Sequence, residues 1–113
     1  MTHLDEGNLT GTFEGLRVLD FSTTIAGPHC ARMLADMGAE VLRVEKREGG
    51  EDRWVQAVTE SGEGGTFLQC NRNKRSLTLD STTVEGTEIT RRLVARADIV
   101  IANMPAAGMR ANG

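Results

Sequence analysis

No tyrosine occurs in this sequence, tryptophan occurs once and phenylalanine three times. So few flat side chains argue against a reader of single-stranded nucleic acid, which stacks bases on aromatic rings. Neither sign of charge dominates: 13 Lys and Arg stand against 16 Asp and Glu, a net charge of −3. That balance argues against nucleic-acid binding through a broad basic field and leaves room only for a local basic patch. The two cysteines, Cys30 and Cys70, form no CxxC pair and imply no disulfide framework. They read as reduced, small apolar residues of a cytoplasmic protein. His3 and His29 have no carboxylate or cysteine at metal-ligand spacing, so no metal site is expected. No apolar run reaches the roughly 18 residues that a membrane span needs. The polar, acidic opening MTHLDEGNLTGTFEG has neither the basic nor the apolar region of a secretory signal.

What is present suffices for a core. Hydrophobic residues make up 39% of the 113 and charged residues 26%, which fits one folded domain and not a disordered chain. Residues 1–14 read as a flexible lead-in and 15–113 as one α/β unit. Leu16 to Phe21 (LRVLDF) is a strand candidate. Pro28 suits the first position of a helix, and Ala31, Leu34 and Ala35 follow helical spacing up to a Gly38 stop. Val41, Leu42 and Val44 make a second strand, closed by Glu45, Lys46 and Arg47. Residues 48–65 are rich in Gly and Glu and read as a long loop with a short helix around Trp54, either functional or a plain surface excursion. Trp54 is expected to anchor that loop. Ser76 to Leu79 follows as a third strand. Thr82-Thr83-Val84-Glu85 matches a capping box, opening a helix with Ile89, Leu93, Val94 and Ala97 as its buried stripe. Ile99 to Ala102 is the fourth strand, with Asn103 just past its end.

Two strand–helix–strand units predict parallel strands with right-handed crossovers. Ligands of such sheets gather at the carboxyl ends of the strands. Here those ends are 22–27, 45–47, 80–82 and 103–104. A helix opening at Gly27 would offer free N–H groups to a phosphate or carboxylate. Equally, Gly27 could only relieve a tight turn. NAD is disfavoured, because Ser22, Thr23 and Thr24 stand where the glycines of GxGxxG belong. Lys46 and Arg47 either clamp phosphates or form an ordinary solvated pair. Arg72, Lys74 and Arg75 precede a strand, which puts them at the opposite edge of the sheet unless the preceding loop wraps over. Structural or dimer contacts are expected of them.

Three stretches together, GLRVLDFSTTIAGPHCARMLADMGAEVLRVEK, NRNKRSLTLD and VEGTEITRRLVARADIVIANM, resemble the start of the family III CoA-transferases. That family includes formyl-CoA transferases, carnitine CoA-transferases and α-methylacyl-CoA racemases. The resemblance runs from about Gly15 to Asn103, with its four blocks in the family's order. It implies a Rossmann-like parallel sheet with flanking helices, the N-terminal part of a large domain that binds coenzyme A at the carboxyl rim. Thr24 and Ile25 would flank the CoA path beside the Gly27 turn. Lys46, at a position that is often Arg, would meet the nucleotide end, with Arg47 beside it. Leu79 would lie by the adenine, and Asn103 and Met104 would line the pantetheine and thioester. Beyond Met104 the match departs from the family's Asn-Phe-…-Pro-Gly pattern, so Arg110 is not assigned.

The resemblance also implies an enzyme that moves CoA from an acyl-CoA to a carboxylic acid, working as an interlocked homodimer with no tightly bound cofactor. Its nucleophilic Asp lies well downstream in the family, and the racemases use a downstream His and Asp. None of Asp5, Asp20, Asp36, Asp52, Asp80 or Asp98 matches that nucleophile. The expectation is therefore an N-terminal piece without catalytic residues, inactive alone. A 2-methylacyl-CoA racemase, a non-catalytic nucleotide-binding or assembly module, and an NAD-dependent oxidoreductase piece are the rivals.

Overall fold

The computed structural model describes residues 11–113. Of the lead-in expected over 1–14, residues 1–10 lie outside the described residues. Residues 12–15 instead form a turn, because Phe13 packs against the core and its N–H donates to Met37 O at 2.9 Å. The chain then alternates strand and helix: β1 Arg17–Asp20, α1 Ala26–Asp36, β2 Glu40–Glu45, a 3-10 turn Glu51–Trp54, α2 Gly65–Cys70, β3 Arg75–Thr78, α3 Val84–Arg96, β4 Ile99–Ile101 and α4 Ala106–Ala111. The four strands form one parallel sheet in the order β3-β2-β1-β4. The Rossmann-like reading of the sequence is borne out.

Side chains alternate across a strand, and that alternation divides the sheet. One face carries Val18 and Asp20 from β1, and Val41, Arg43 and Glu45 from β2. Its lower half is apolar: Val18 and Val41 pack with Ala31, Ala35 and Ala39, every one of them buried. The small alanines let α1 lie close to the strands. The upper half, toward the carboxyl ends, turns fully charged, and Asp20 sits level with Arg43 in the ladder. Helix α1 starts at Ala26, two residues before Pro28, so the proline occupies the first turn and its missing N–H breaks no helical bond.

Helix α3 lies on the other face and is turned relative to the expected stripe. Gly86 and Thr90 are buried and Leu93 and Ala97 half-buried, a run with helical spacing. Ile89 and Val94 instead remain exposed at 42% and 43%. Two local contacts accompany the observed face. Thr83, not Thr82, is the N-cap, and its hydroxyl accepts from Gly86 N at 3.0 Å, with no reciprocal Glu. Gly86 then abuts the Asp80 carbonyl, where a Cβ would collide with the backbone. Helices α2 and α4, both six residues long, are not foreseen in the sequence reading.

Gly86→Ala therefore tests the packing of α3. Helix propensity alone would favour alanine by about 1 kcal/mol. The collision with Asp80 should reverse the sign and destabilise the fold by about 1–3 kcal/mol, the usual cost of overpacking. Denaturant melts of the two chains check this, and a stabilised variant would refute the close approach.

Candidate functional site

The loops at the carboxyl ends of β1, β2 and β3 enclose an open cleft of about 820 Å³. Its walls come from segments far apart in sequence: Phe21 to Thr24, Val44 to Asp52, Leu79 to Thr82, and Met104 with Asn112. Parallel topology brings them together, since every strand delivers its C-terminal loop to the same edge. The 3-10 turn Glu51–Trp54 forms one side of the cleft, as the short helix expected around Trp54. Trp54 itself is 52% exposed.

Beneath the cleft lies a buried ionic network. Arg43, in the middle of β2, is 2% exposed. Its guanidinium donates to Asp52 Oδ1 at 2.7 Å and to Asn71 Oδ1 at 2.8 Å, and its Nε lies 3.6 Å from Glu45 Oε2. Lys74 donates to Asp20 Oδ2 at 2.7 Å, Asn71 Oδ1 at 2.8 Å and Pro28 O at 2.9 Å, so all three ammonium protons have an acceptor. Glu45 receives Arg53 Nε at 2.9 Å, Gly50 N at 2.8 Å and Ser76 Oγ at 2.9 Å. Phe67 of α2 lies under both guanidinium groups, its ring centre 5.3 Å from Arg43 Cζ and 4.4 Å from Arg53 Cζ. Three cations, Arg43, Arg53 and Lys74, thus balance three carboxylates, Asp20, Glu45 and Asp52. Burial pushes the Lys74 ammonium below its ordinary range, against the pull of Asp20.

Lys74 thus does not sit at the far edge of the sheet. The α2 segment wraps over and carries it to the carboxyl end of β1. Of its neighbours, Arg72 lies 3.9 Å from Asp36 and Arg75 lies 3.0 Å from Glu40, both exposed. The sequence reading missed Arg43, Asp52 and Asn71. A signal was present: Arg43 and Glu45 stand two apart in a strand, on one face with Asp20.

The structure brings five of the expected binding residues to the cleft wall: Thr24, Lys46, Arg47, Leu79 and Met104. The other three have different neighbours. Gly27 packs on Ser22, whose side chain would collide with any Cβ there, so its close approach is to the chain's own turn. Ile25 is the N-cap residue of α1 and is exposed. Asn103 spans the ends of β4 and β1, accepting from Thr23 N at 3.0 Å and donating to Thr23 O at 2.7 Å. The aspartates are also engaged: Asp98 accepts from Arg17 N, Asp36 from Asn73 Nδ2 and Asp80 from Thr82, while Asp5 lies outside the described residues. Thr82 holds the Asp80 carboxyl below its ordinary value through its hydroxyl and N–H. Among the described residues no helix is long and apolar enough to cross a membrane.

A family model described as CoA-transferase family III matches residues 13–113. Succinate–glutarate CoA-transferase of Agrobacterium fabrum is 40% identical over 96% of this chain and 29% of its own length. Succinyl-CoA:mesaconate CoA-transferase of Haloarcula hispanica is 45% identical over 88% of this chain and 26% of its own. The crystal structure of a CAIB/BAIF family protein from Brucella suis superposes with a TM-score of 0.82 at 39% identity, covering 91% of this chain and 28% of that one. The chain therefore spans under a third of the length of the relatives it matches.

Glu45 gives the network a pH signature. Burial alone would raise its carboxyl, but Arg53, the Gly50 N–H, Ser76 and the Arg43 charge together hold it at about 2, down from 4.5. A depressed carboxylate contributes stability that is complete above its unfolded value and lost as pH falls through its folded one. Each tenfold gain in acidity is worth about 1.4 kcal/mol, so unfolding free energy should drop by about 3 kcal/mol between pH 5 and pH 2 on account of this group. Denaturant titrations across that range should show the drop in the parent and a flatter profile in Glu45→Gln, which is weaker at neutral pH. Parallel profiles would remove Glu45 as the cause.

Proposed function

The chain belongs to CoA-transferase family III, and from that premise we propose that it supplies the coenzyme A rim of an enzyme moving CoA between carboxylic acids. The observation that carries the reading is the cleft at the carboxyl edge, where Lys46 and Arg47 stand on one wall and Leu79 and Met104 on others. A CoA molecule needs cations for its phosphates and apolar surface for adenine and pantetheine, and this cleft offers both. Lys46 has a side chain about half exposed, with Glu51 3.8 Å away as its ion-pair partner, so an arriving phosphate can recruit it. Arg47 presents a guanidinium suited to bidentate phosphate contact.

The proposed chemistry is covalent. A carboxylate of the enzyme attacks the acyl-CoA carbonyl, and the CoA thiolate leaves to give a mixed anhydride. The thiolate then attacks the enzyme's own acyl carbon, releasing the donor acid and leaving an enzyme thioester. The acceptor acid repeats the two steps in reverse order, which restores the carboxylate. Splitting the exchange this way replaces one hard step by easier ones. We place the nucleophile in sequence beyond residue 113, since Asp20, Glu45 and Asp52 are each held by cations under the cleft. Short dicarboxylic acids are the proposed acyl partners, following the names of the relatives. This supports transfer over racemisation.

An assembled state is proposed as well, an interlocked homodimer in the cytoplasm. The support is apolar surface left open: Ile89, Val94 and Val100 on the α3 side, and Val55 and Val58 on the loop. Sedimentation of residues 1–113 alone should show self-association, since such surfaces drive it. A monodisperse monomer with a sharp melt would count against it.

Calorimetric titration with coenzyme A tests the rim. Lys46→Glu should weaken binding by about tenfold, roughly 1.4 kcal/mol. Glu51→Gln, which frees Lys46, should tighten it modestly. Arg92→Glu, on the outer side of α3 where Arg92 pairs with Glu88, should leave affinity unchanged. Loss of affinity in Arg92→Glu with none in Lys46→Glu would place coenzyme A elsewhere.

A further inference from the structure

We propose that Asp52 is a positioning residue for the cleft, holding the Thr24 backbone in a left-handed turn that sets the shape of the wall. Thr24 has φ of 77°. A β-branched residue rarely occupies that region, and where one does, the surroundings must impose it. Here the imposing group is visible. The Thr24 N–H donates to Asp52 Oδ2 at 3.1 Å, while the other carboxylate oxygen accepts from Arg43 Nη2 at 2.7 Å. Arg43 is itself anchored by Asn71 and by its place in β2.

The loop is shaped for this contact. A Cβ on Gly50 would stand 2.6 Å from Asp52 Oδ1 and 2.7 Å from Arg43 Nη2, so only glycine admits the pair at that approach. Thr23, one residue earlier, is fixed by Asn103 from the end of β4. Two successive residues of the wall are therefore each held by a side chain from a different element. Thr24 and Asp52 both line the cleft, so the restraint acts on the surface a ligand would touch. The consequence for coenzyme A rests on the function proposed above. The coupling of Asp52 to Thr24 does not.

Asp52→Asn separates the two arms. Its single carbonyl oxygen should stay with Arg43, turning the amide N–H₂ toward Thr24 and removing the acceptor. In the parent chain the Thr24 amide should exchange with solvent deuterium at least a hundredfold below its intrinsic rate. In Asp52→Asn that protection should fall at least tenfold, and coenzyme A should bind at least fivefold more weakly. Adding Thr24→Gly to Asp52→Asn should restore affinity to within about threefold of the parent, because glycine takes positive φ unaided. An unprotected Thr24 amide in the parent overturns the proposal even if the variant fails to fold. So does unchanged exchange in Asp52→Asn, or weakened binding that Thr24→Gly does not rescue. If coenzyme A does not bind the parent, the function proposed above fails, and the exchange measurements still decide the role of Asp52.

Discussion

A guanidinium buried in the middle of a parallel strand is the constraint on which the upper half of this fold depends. Arg43 has almost no access to water, and an unpaired charge at such depth would cost several kcal/mol. Every element around it answers that charge. The loop after β2 turns back to present Asp52, α2 brings Asn71 and the face of Phe67, and Glu45 closes the third side from the same strand. The loop between β2 and α2 thus has a defined path because it must reach Arg43, and that path makes one wall of the cleft.

The sheet accordingly works as two storeys. Near the amino ends, valines against alanines supply ordinary hydrophobic cohesion, which is non-directional and tolerant. Near the carboxyl ends, ion pairs and hydrogen bonds supply direction, and removal of one partner strands the others. A binding edge needs the second kind of order. Loops held by apolar contact alone could slide, whereas Thr23 and Thr24 are each fixed through the backbone N–H.

What the sequence made legible follows from range. The four strands and the helices α1 and α3 arise from periodicity within a dozen residues, and their predicted spans lie within about two residues of those observed, as short-range patterns allow. The parallel direction of the strands followed from the strand–helix–strand pattern, but their lateral order was not read from the sequence. Helix α2 was not legible, because GTFLQC is too short to show a period and is held by Phe67 beneath two guanidinium groups. The rotation of α3 was hidden for a similar reason: Gly86 reads as a weak helix former until the Asp80 carbonyl appears against it. Lys74 and Asp20 are 54 positions apart, and nothing local marks them as partners. At the site, the end-of-strand rule located the cleft wall through Thr24, Lys46, Arg47 and Met104, while Leu79 came only from the family resemblance. It could not foresee that Gly27 meets Ser22 or that Asn103 grips Thr23.

The tight seat of Gly50 against Asp52 and Arg43 also bears on how such a sequence can drift. A side chain at 50 crowds the pair, a neutral residue at 43 leaves Asp52 buried without its cation, and a neutral residue at 52 leaves Arg43 with Glu45 alone, 3.6 Å away, as its counter-charge. Loss of the cation at 43 should cost about 3–5 kcal/mol and crowding at 50 about 1–3 kcal/mol, each a sizeable share of the roughly 5–15 kcal/mol that holds a typical domain together. The three positions are thereby coupled, and a change at one is costly while the others stand. Descent should carry arginine, glycine and aspartate through as a block, or replace all three together with an apolar set, and intermediate combinations should be rare wherever this loop takes the same path.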